Sequence, residues 1–342
     1  MAADGIKVLN RIQLGTESTP GTAVVASTIW RGPAAKIQDN QTKVRPEENI
    51  GVSSITTRQY TPQKLANIEF PSGELHYETF DHILDAGVVY NAGTQDGVGT
   101  DYIRTHILSS SATAPAVTTL KTKTIEAGDN LQAEVMEYAV VEEFELSGGV
   151  GAAWMLSACK WFGRQSALQA FTAALSAPAL SNPYLFQKSK LYIDAVGGTI
   201  GTTLISNTFE SAKINIVTGW IPKYSGDGNL YFGEAQFIGA KMTAELTFYH
   251  NATTEAQKVL FRADTPRQFR IKTEGDAVAT PGTTYSVKTG LWDFAGVISQ
   301  FDDAAGDKDG INIAKITIEC GYDPTAALFA KFVNVNELSA LP

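Results

Sequence analysis

Few residues of the types that build reactive sites occur in this chain. Its 342 residues include only two cysteines and four histidines, too few and too scattered to suggest a structural zinc site, which needs four such ligands. Cys159 and Cys320 lie in apolar, strand-like stretches, so we expect both to be reduced core residues rather than a disulfide. No apolar run approaches the ~18 residues of a membrane-spanning helix, and we therefore expect no membrane insertion.

The sequence also lacks the motifs that carry common enzyme chemistry. It contains no GxxxxGK[ST] phosphate loop, no GxGxxG after a strand, no HExxH and no GxSxG. Adjacent carboxylates such as Glu142 and Glu143 point to opposite faces of a strand and make a poor acid/base pair. The acidic turn at 302–309 does not match the ligand spacing of an EF-hand. We predict no catalytic residue, no cofactor and no metal site, and hence that the protein is not an enzyme.

Basic charge is in short supply as well. The chain has 27 Lys and Arg residues against 36 Asp and Glu residues, a net charge of -9. A protein that grips nucleic acid through its phosphates needs a basic patch, and this balance argues against one. An acidic wall would repel DNA, which suits a surface that DNA slides past, although mild acidity also serves solubility alone. The first twenty residues lack an apolar core behind a basic start, so we expect no secretory signal.

Stretches that alternate between apolar and polar residues are abundant, and they predict a mainly β protein. Such stretches occur at 66–77, 135–147 and 240–249, and a short helix is predicted soon after the first and the third. A long polar segment at 38–64 is predicted to be a loop. The composition of residues 53–60 is typical of strands and predicts a projecting hairpin near the end of this loop. Loops of this length tend to be functional or bound to partners.

The same order of elements occurs twice along the chain: strand, long loop, strand, short helix, further strands and a final hairpin. This repetition indicates a duplicated domain, and two unrelated β domains are the alternative. We predict four segments: an N-terminal arm at 1–25, a β domain at 26–183, a second β domain at 184–325, and a C-terminal tail at 326–342.

The arm carries a motif that resembles a known family. From Ile12 to Val24 the chain reads IQLGTESTPGTAV, which is similar to the GxExTxGT-A opening of the tail tube proteins of long-tailed, non-contractile bacteriophages. The strand, bulge and helix at 66–87 and the Glu-rich hairpin at 142–162 also resemble that family's domain, so the likeness covers most of the first half. The second half is similar only in its order of elements. It departs from the simplest members, which have one domain, although some relatives have two.

The resemblance implies two tandem β-sandwich domains, each with a short flanking helix, and a structural function in a tail tube. Single-domain members form hexameric rings that stack into a tube. A duplicated chain would therefore form trimeric, pseudo-hexameric rings that stack head to tail around a lumen. The implied partners are further copies of this chain, the tape-measure protein and double-stranded DNA in the lumen, and tail terminator and baseplate proteins. The implied location is the virion, after assembly in the host cytoplasm.

Two sets of residues follow as candidates within this resemblance. Alternation nominates four glutamates for the lumen wall, because each lies opposite the apolar face of its strand, with plain solvent exposure as the alternative: Glu69, Glu143, Glu145 and Glu245. The arm, the long loop and the C-terminal tail are expected to contact the neighbouring ring in the stack. The candidate contact residues are Thr16, Glu17, Thr19, Pro20, Ile55 and Tyr60.

Two other functions remain open from the sequence. One is a different virion component that forms rings or decorates the particle, such as a tail terminator or a baseplate protein. The other is a carbohydrate-binding β-sandwich module, whose sugar-stacking platforms would be the five tryptophans. Trp154 and Trp161 lie in strands that we expect to be buried, which favours packing over sugar binding for these two.

Overall fold

The structure is a computed structural model and describes residues 4–342. Strands hold 46% of the residues and helices 8%, which confirms the predicted mainly β class. The helices are α1 (Phe80–Gly87), α2 (Ala252–Arg262) and three short 3-10 turns at Lys7–Leu9, Val117–Thr119 and Phe186–Lys188.

The strands of the first half are β1 (Arg11–Thr16), β2 (Thr28–Ile29), β3 (Gln38–Asp39), β4 (Thr42–Val44), β5 (Tyr60–Gln63), β6 (Ala66–Phe70), β7 (Gly73–Glu74), β8 (Thr94–Gln95), β9 (Tyr102–Ile107), β10 (Lys123–Gly128), β11 (Ala133–Gly149), β12 (Met155–Gly163) and β13 (Ser166–Gln169). The strands of the second half are β14 (Ser189–Ala195), β15 (Phe209–Val217), β16 (Trp220–Lys223), β17 (Glu234–Phe237), β18 (Lys241–Tyr249), β19 (Arg267–Ala277), β20 (Val287–Lys308), β21 (Ile311–Cys320) and β22 (Ala330–Asn336).

An antiparallel sheet, here called the inner sheet, runs through both halves of the chain in the order β3–β6–β12–β11–β15–β18–β21–β20. The long strands β11 and β20 belong to it only through their C-terminal parts. Their N-terminal parts pair elsewhere: β11 with β10 and β13, and β20 with β19 and β22. Each long strand therefore joins the inner sheet to an outer layer.

The pairings of the two halves correspond strand by strand. In the first half β3 pairs with β6, β6 with β12, and β12 with β11; in the second half β15 pairs with β18, β18 with β21, and β21 with β20. The helix follows β6 and β18 in turn, and the outer order β1–β10–β11–β13 matches β14–β19–β20–β22. The two cysteines also occupy equivalent strands. Cys159 of β12 lies opposite Phe70 of β6, and Cys320 of β21 lies opposite Met242 of β18. The domain limits themselves stay a prediction.

Helix α1 is buried along its whole length and occupies the centre of the core. The ring of Phe80 lies 6.2 Å from that of Phe144, 6.3 Å from that of Tyr184 and 6.2 Å from that of Trp292. A single hydrophobic cluster thus takes side chains from both halves of the chain. Both cysteines are free thiols.

Part of the predicted arm and part of the predicted tail are built into the sheets. Strand β1, at Arg11–Thr16, pairs with β10 over six residues, and β22, at Ala330–Asn336, lies between β20 and β9. The partner strands are distant in sequence, so no local pattern reveals the pairing.

The predicted long loop contains a small hairpin, but not where the sequence placed it. Strand β4 pairs with β5, and the segment 45–59 between them has no helix or strand. Residues 53–59, predicted as part of a projecting hairpin, therefore lie in its irregular tip.

Candidate assembly surface

One face of the inner sheet is polar and open, whereas the other packs on the core. Strand β18 is typical: Met242, Ala244, Leu246 and Phe248 are buried, while the residues between them are exposed or partly exposed. Both faces are consequences of the period of two along a strand.

All four glutamates predicted for the lumen lie on the open face. Lys160 Nζ is 2.8 Å from a carboxylate oxygen of Glu143, and Glu69 lies opposite Lys160 in the neighbouring strand. Lys213 Nζ is 2.8 Å from a carboxylate oxygen of Glu145.

The same pattern continues across the second half of the sheet. Glu245 lies opposite Lys213, and one of its carboxylate oxygens is 2.7 Å from Lys315 Nζ. We call these residues the charge ladder, which consists of Glu69, Glu143, Glu145, Glu245, Lys160, Lys213 and Lys315. The structure thus brings the four predicted glutamates together on one surface and adds three lysines that the sequence analysis missed.

The charge ladder is closer to balanced than the acidic wall that the sequence suggested. A hydrogen bond from Lys160 lowers the pKa of Glu143, and a hydrogen bond to Glu145 raises the pKa of Lys213, so Glu143 and Lys213 are held in their charged forms. Opposite charges on neighbouring strands stabilise a sheet, and Glu143, Glu145 and Glu245 each have a lysine of a neighbouring strand beside them. The lysines are about half exposed, so each pair contributes at most about 1 kcal/mol to stability.

The inner sheet has two lateral edges, formed by β3 and by the C-terminal part of β20. In residues 4–342, β3 pairs only with β6, and β20 beyond Gly296 pairs only with β21. Within the chain, the two halves meet through opposite edges, because β11 pairs with β15 over seven residues. The last inner strand of one half thus already binds the first inner strand of the other.

Glu17 of the arm motif binds the arm to the strands β10 and β11 of its own chain, and we call this set of hydrogen bonds the clamp. Glu17 is 2% exposed, and its carboxylate accepts hydrogen bonds from Gly21 N at 2.8 Å, Thr122 Oγ1 at 2.7 Å, Thr124 Oγ1 at 3.0 Å and Tyr138 N at 2.9 Å. Tyr138 has a φ of 56°, close to the point where β11 leaves the outer layer for the inner sheet.

The predicted ring contact at Glu17 is therefore corrected, since its carboxylate is enclosed by groups of its own chain. Thr16 is exposed, and its hydroxyl accepts a hydrogen bond from Lys123 Nζ at 2.8 Å. Thr19 is exposed and Pro20 partly exposed in the following turn. For these three residues, contact with a neighbouring ring stays a prediction.

The tip of the β4–β5 hairpin presents apolar side chains to solvent. Ile55 is 77% exposed and Tyr60 52% exposed, and Ile50 and Val52 are similarly open at 63% and 62%. Exposed apolar side chains of this kind are suited to protein contacts. Contact between this tip and another ring stays a prediction.

The next features are the tryptophans, the metal-ligating side chains and the helices. Trp154, Trp161, Trp220 and Trp292 are each at most 1% exposed, so these four indoles cannot stack on a sugar. In residues 4–342, no group of three or more His, Cys, Asp or Glu side chains is arranged to hold a metal ion. Neither α1 nor α2 nor any other helix in that range has the length and apolar character to cross a membrane.

Comparisons with known proteins give little further information. No family model and no curated protein matches the sequence. Among solved structures, the SPP1 tail tube, determined by solid-state NMR and cryo EM, matches with 11% sequence identity and a TM-score of 0.31. The match covers 45% of this chain and 80% of that one. A score this low carries no argument about function.

Proposed function

We propose that this protein is a structural subunit of a bacteriophage tail tube, with two copies of the tube domain in one chain. The arm motif supports the family, and the matching strand pairings of the two halves support the duplication. The subunit forms rings by lateral contact and tubes by stacking, and the tube conducts DNA.

The observation that carries this proposal is the junction between β11 and β15. The junction joins the last inner strand of the first half, β11, to the first inner strand of the second half, β15. Because the two halves are equivalent and meet through different edges, this is a head-to-tail contact that can be repeated. The remaining edges are of the same two kinds: β20 corresponds to β11, and β3 corresponds to β15. Repeating the junction between chains pairs β20 of one copy with β3 of the next, and closing the ring removes both exposed edges.

The lumen surface follows from the layers of the fold. The core side of the inner sheet is covered by α1 and the outer strands, so the open face must turn toward the axis when the sheet closes. The charge ladder then lines the lumen. Its lysines are paired with glutamates, which leaves few free cations to hold the phosphates of passing DNA.

Stacking is assigned to the β4–β5 hairpin. Its apolar tip, with Ile50, Val52 and Ile55, loses solvent exposure when it docks on the next ring. Because the contact between successive rings is also head to tail, it does not close on itself and grows a filament.

Assembly can be tested by negative-stain electron microscopy with light scattering on concentrated protein. Three copies of a 36.7 kDa chain give rings of ~110 kDa, because hexameric rings of single domains correspond to three duplicated chains. Hollow tubes of such rings support the proposal. Closed rings that never stack indicate a terminator or baseplate component instead.

The lateral contact can be tested by disulfide trapping in assembled particles. The segment leading into β3 runs along the sheet, since Pro33 lies against Gly73 of β7. We would combine Ala34→Cys with Val297→Cys or Ser299→Cys, using each single variant as a control. Oxidation is expected to link chains into covalent trimers only in the double variants. Assembled tubes in which no combination links chains would contradict pairing of β20 with β3.

A further inference from the structure

A buried carboxylate without any hydrogen-bond partner lies between the two halves of the chain. Asp101, at the start of the segment leading into β9, is 0% exposed, and neither of its carboxylate oxygens has a partner. An unsatisfied buried carboxylate is costly, and a bound cation or a proton normally removes that cost.

A second buried carboxylate faces the same place. Asp96 is 4% exposed, and its Oδ2 accepts hydrogen bonds from Thr284 N at 2.7 Å and Tyr285 N at 2.8 Å. Burial opposes ionisation, but these backbone bonds dominate and lower the pKa of Asp96. Burial, reinforced by the neighbouring Asp96, raises the pKa of Asp101.

Glycines pack closely against the two carboxylates. A Cβ at Gly99 would lie 2.4 Å from Asp101 Oδ1 and 2.6 Å from Gly282 Cα, and a Cβ at Gly282 would lie 2.4 Å from Asp96 Oδ2. Both carboxylates therefore adjoin the contact between Gly99 and Gly282. In residues 4–342, no lysine, arginine or histidine forms an ion pair with either.

We propose that Asp96 and Asp101 bind a hard divalent cation of the Ca²⁺ class. Carboxylate oxygens are the ligands such ions prefer, and Ca²⁺ takes 6–8 oxygens, so backbone carbonyls and water supply the remainder. The ion ties the turn at 96–101, in the first half, to the turn at 282–285, in the second. It acts as a structural clip and does not depend on the proposed tube.

The rival explanation is a proton shared by the two carboxylates, as occurs when like charges are forced together. The two explanations differ in their response to metal. A clip makes the folded protein more stable as free Ca²⁺ rises, because the ion binds the folded state. A shared proton gives no such response.

The test is a calcium titration of the full-length protein after treatment with EDTA, followed by thermal unfolding and isothermal titration calorimetry. At about 100 times the dissociation constant, the melting temperature is expected to rise by about 4 °C, with one ion bound per chain. Asp101→Asn is expected to abolish the rise and the binding heat. The matched control, Asp309→Asn, removes one carboxylate in an exposed turn and is expected to retain both.

Two results would overturn the proposal. The first is a wild-type protein whose melting temperature and binding heat do not respond to Ca²⁺ up to about 10 mM, well above the dissociation constants of weak protein sites. This result needs no variant and stands even if Asp101→Asn fails to fold. The second is a folded Asp101→Asn protein that keeps the wild-type response.

Discussion

The enclosed carboxylate of Glu17 gives the sharpest test of the reasoning about the arm. Replacing it with alanine leaves four donors without their acceptor: the backbone N–H groups of Gly21 and Tyr138 and the hydroxyls of Thr122 and Thr124. The hydroxyls can rotate to other acceptors, but the backbone groups cannot. The two N–H groups thus dominate the expected loss.

An unsatisfied buried donor costs about 1–3 kcal/mol. The buried N–H of Tyr138, at about 2 kcal/mol, and the partly buried N–H of Gly21, at about 1 kcal/mol, predict that Glu17→Ala lowers the free energy of unfolding by about 3 kcal/mol. Glu17→Gln keeps one oxygen acceptor, so about half that loss is expected. Equilibrium unfolding in urea, followed by tryptophan fluorescence, measures both values.

The neighbouring Ser18 is exposed, and Ser18→Ala is the matched control, with an expected change within about 0.5 kcal/mol. A loss below about 1 kcal/mol for Glu17→Ala would refute the clamp. The prediction that Glu17 contacts another ring would then have to be reconsidered.

Three further predictions concern the core, the pH dependence and the charge ladder. Phe80 lies at the centre of the aromatic cluster, and Phe80→Ala should lower the free energy of unfolding by about 3–5 kcal/mol because it leaves a cavity that cannot close. Urea unfolding measures this loss, and a value under about 1 kcal/mol would place Phe80 outside the core. Burial raises the pKa of Asp85 to about 6, so the folded state retains a proton that the unfolded chain, with a pKa near 3.9, releases. The stability that this proton contributes is fully present below about pH 4 and is lost as the pH rises to about 6, by on the order of 3 kcal/mol. Urea unfolding at several pH values should show that Asp85→Asn removes this decline. Parallel curves of stability against pH for the wild type and the variant would contradict the prediction. Glu145→Gln should change the free energy of unfolding by less than about 1 kcal/mol, since its partner Lys213 is half exposed; a larger loss would show that the pair is essential to the sheet.

The local periodicity of the sequence was enough to predict a mainly β protein and to predict that Glu69 and Glu245 point away from the core. Whether a side chain points to one face or the other depends only on its position along its own strand. The repeated order of elements also follows from such local patterns, as do the helices after the first and the third alternating stretches. No comparable local signal marks Asp101, whose burial depends on a turn from the other half.

The sequence by itself therefore determined the class of the fold and which residues of a strand share a face. Only the tertiary structure decided which strands are neighbours, and hence that Lys213 stands beside Glu145, that β22 enters a sheet and that Glu17 is enclosed. The physical reason is that hydrogen bonds between strands join backbones distant in sequence. Their register is set by the packing of the whole core rather than by the residues nearby.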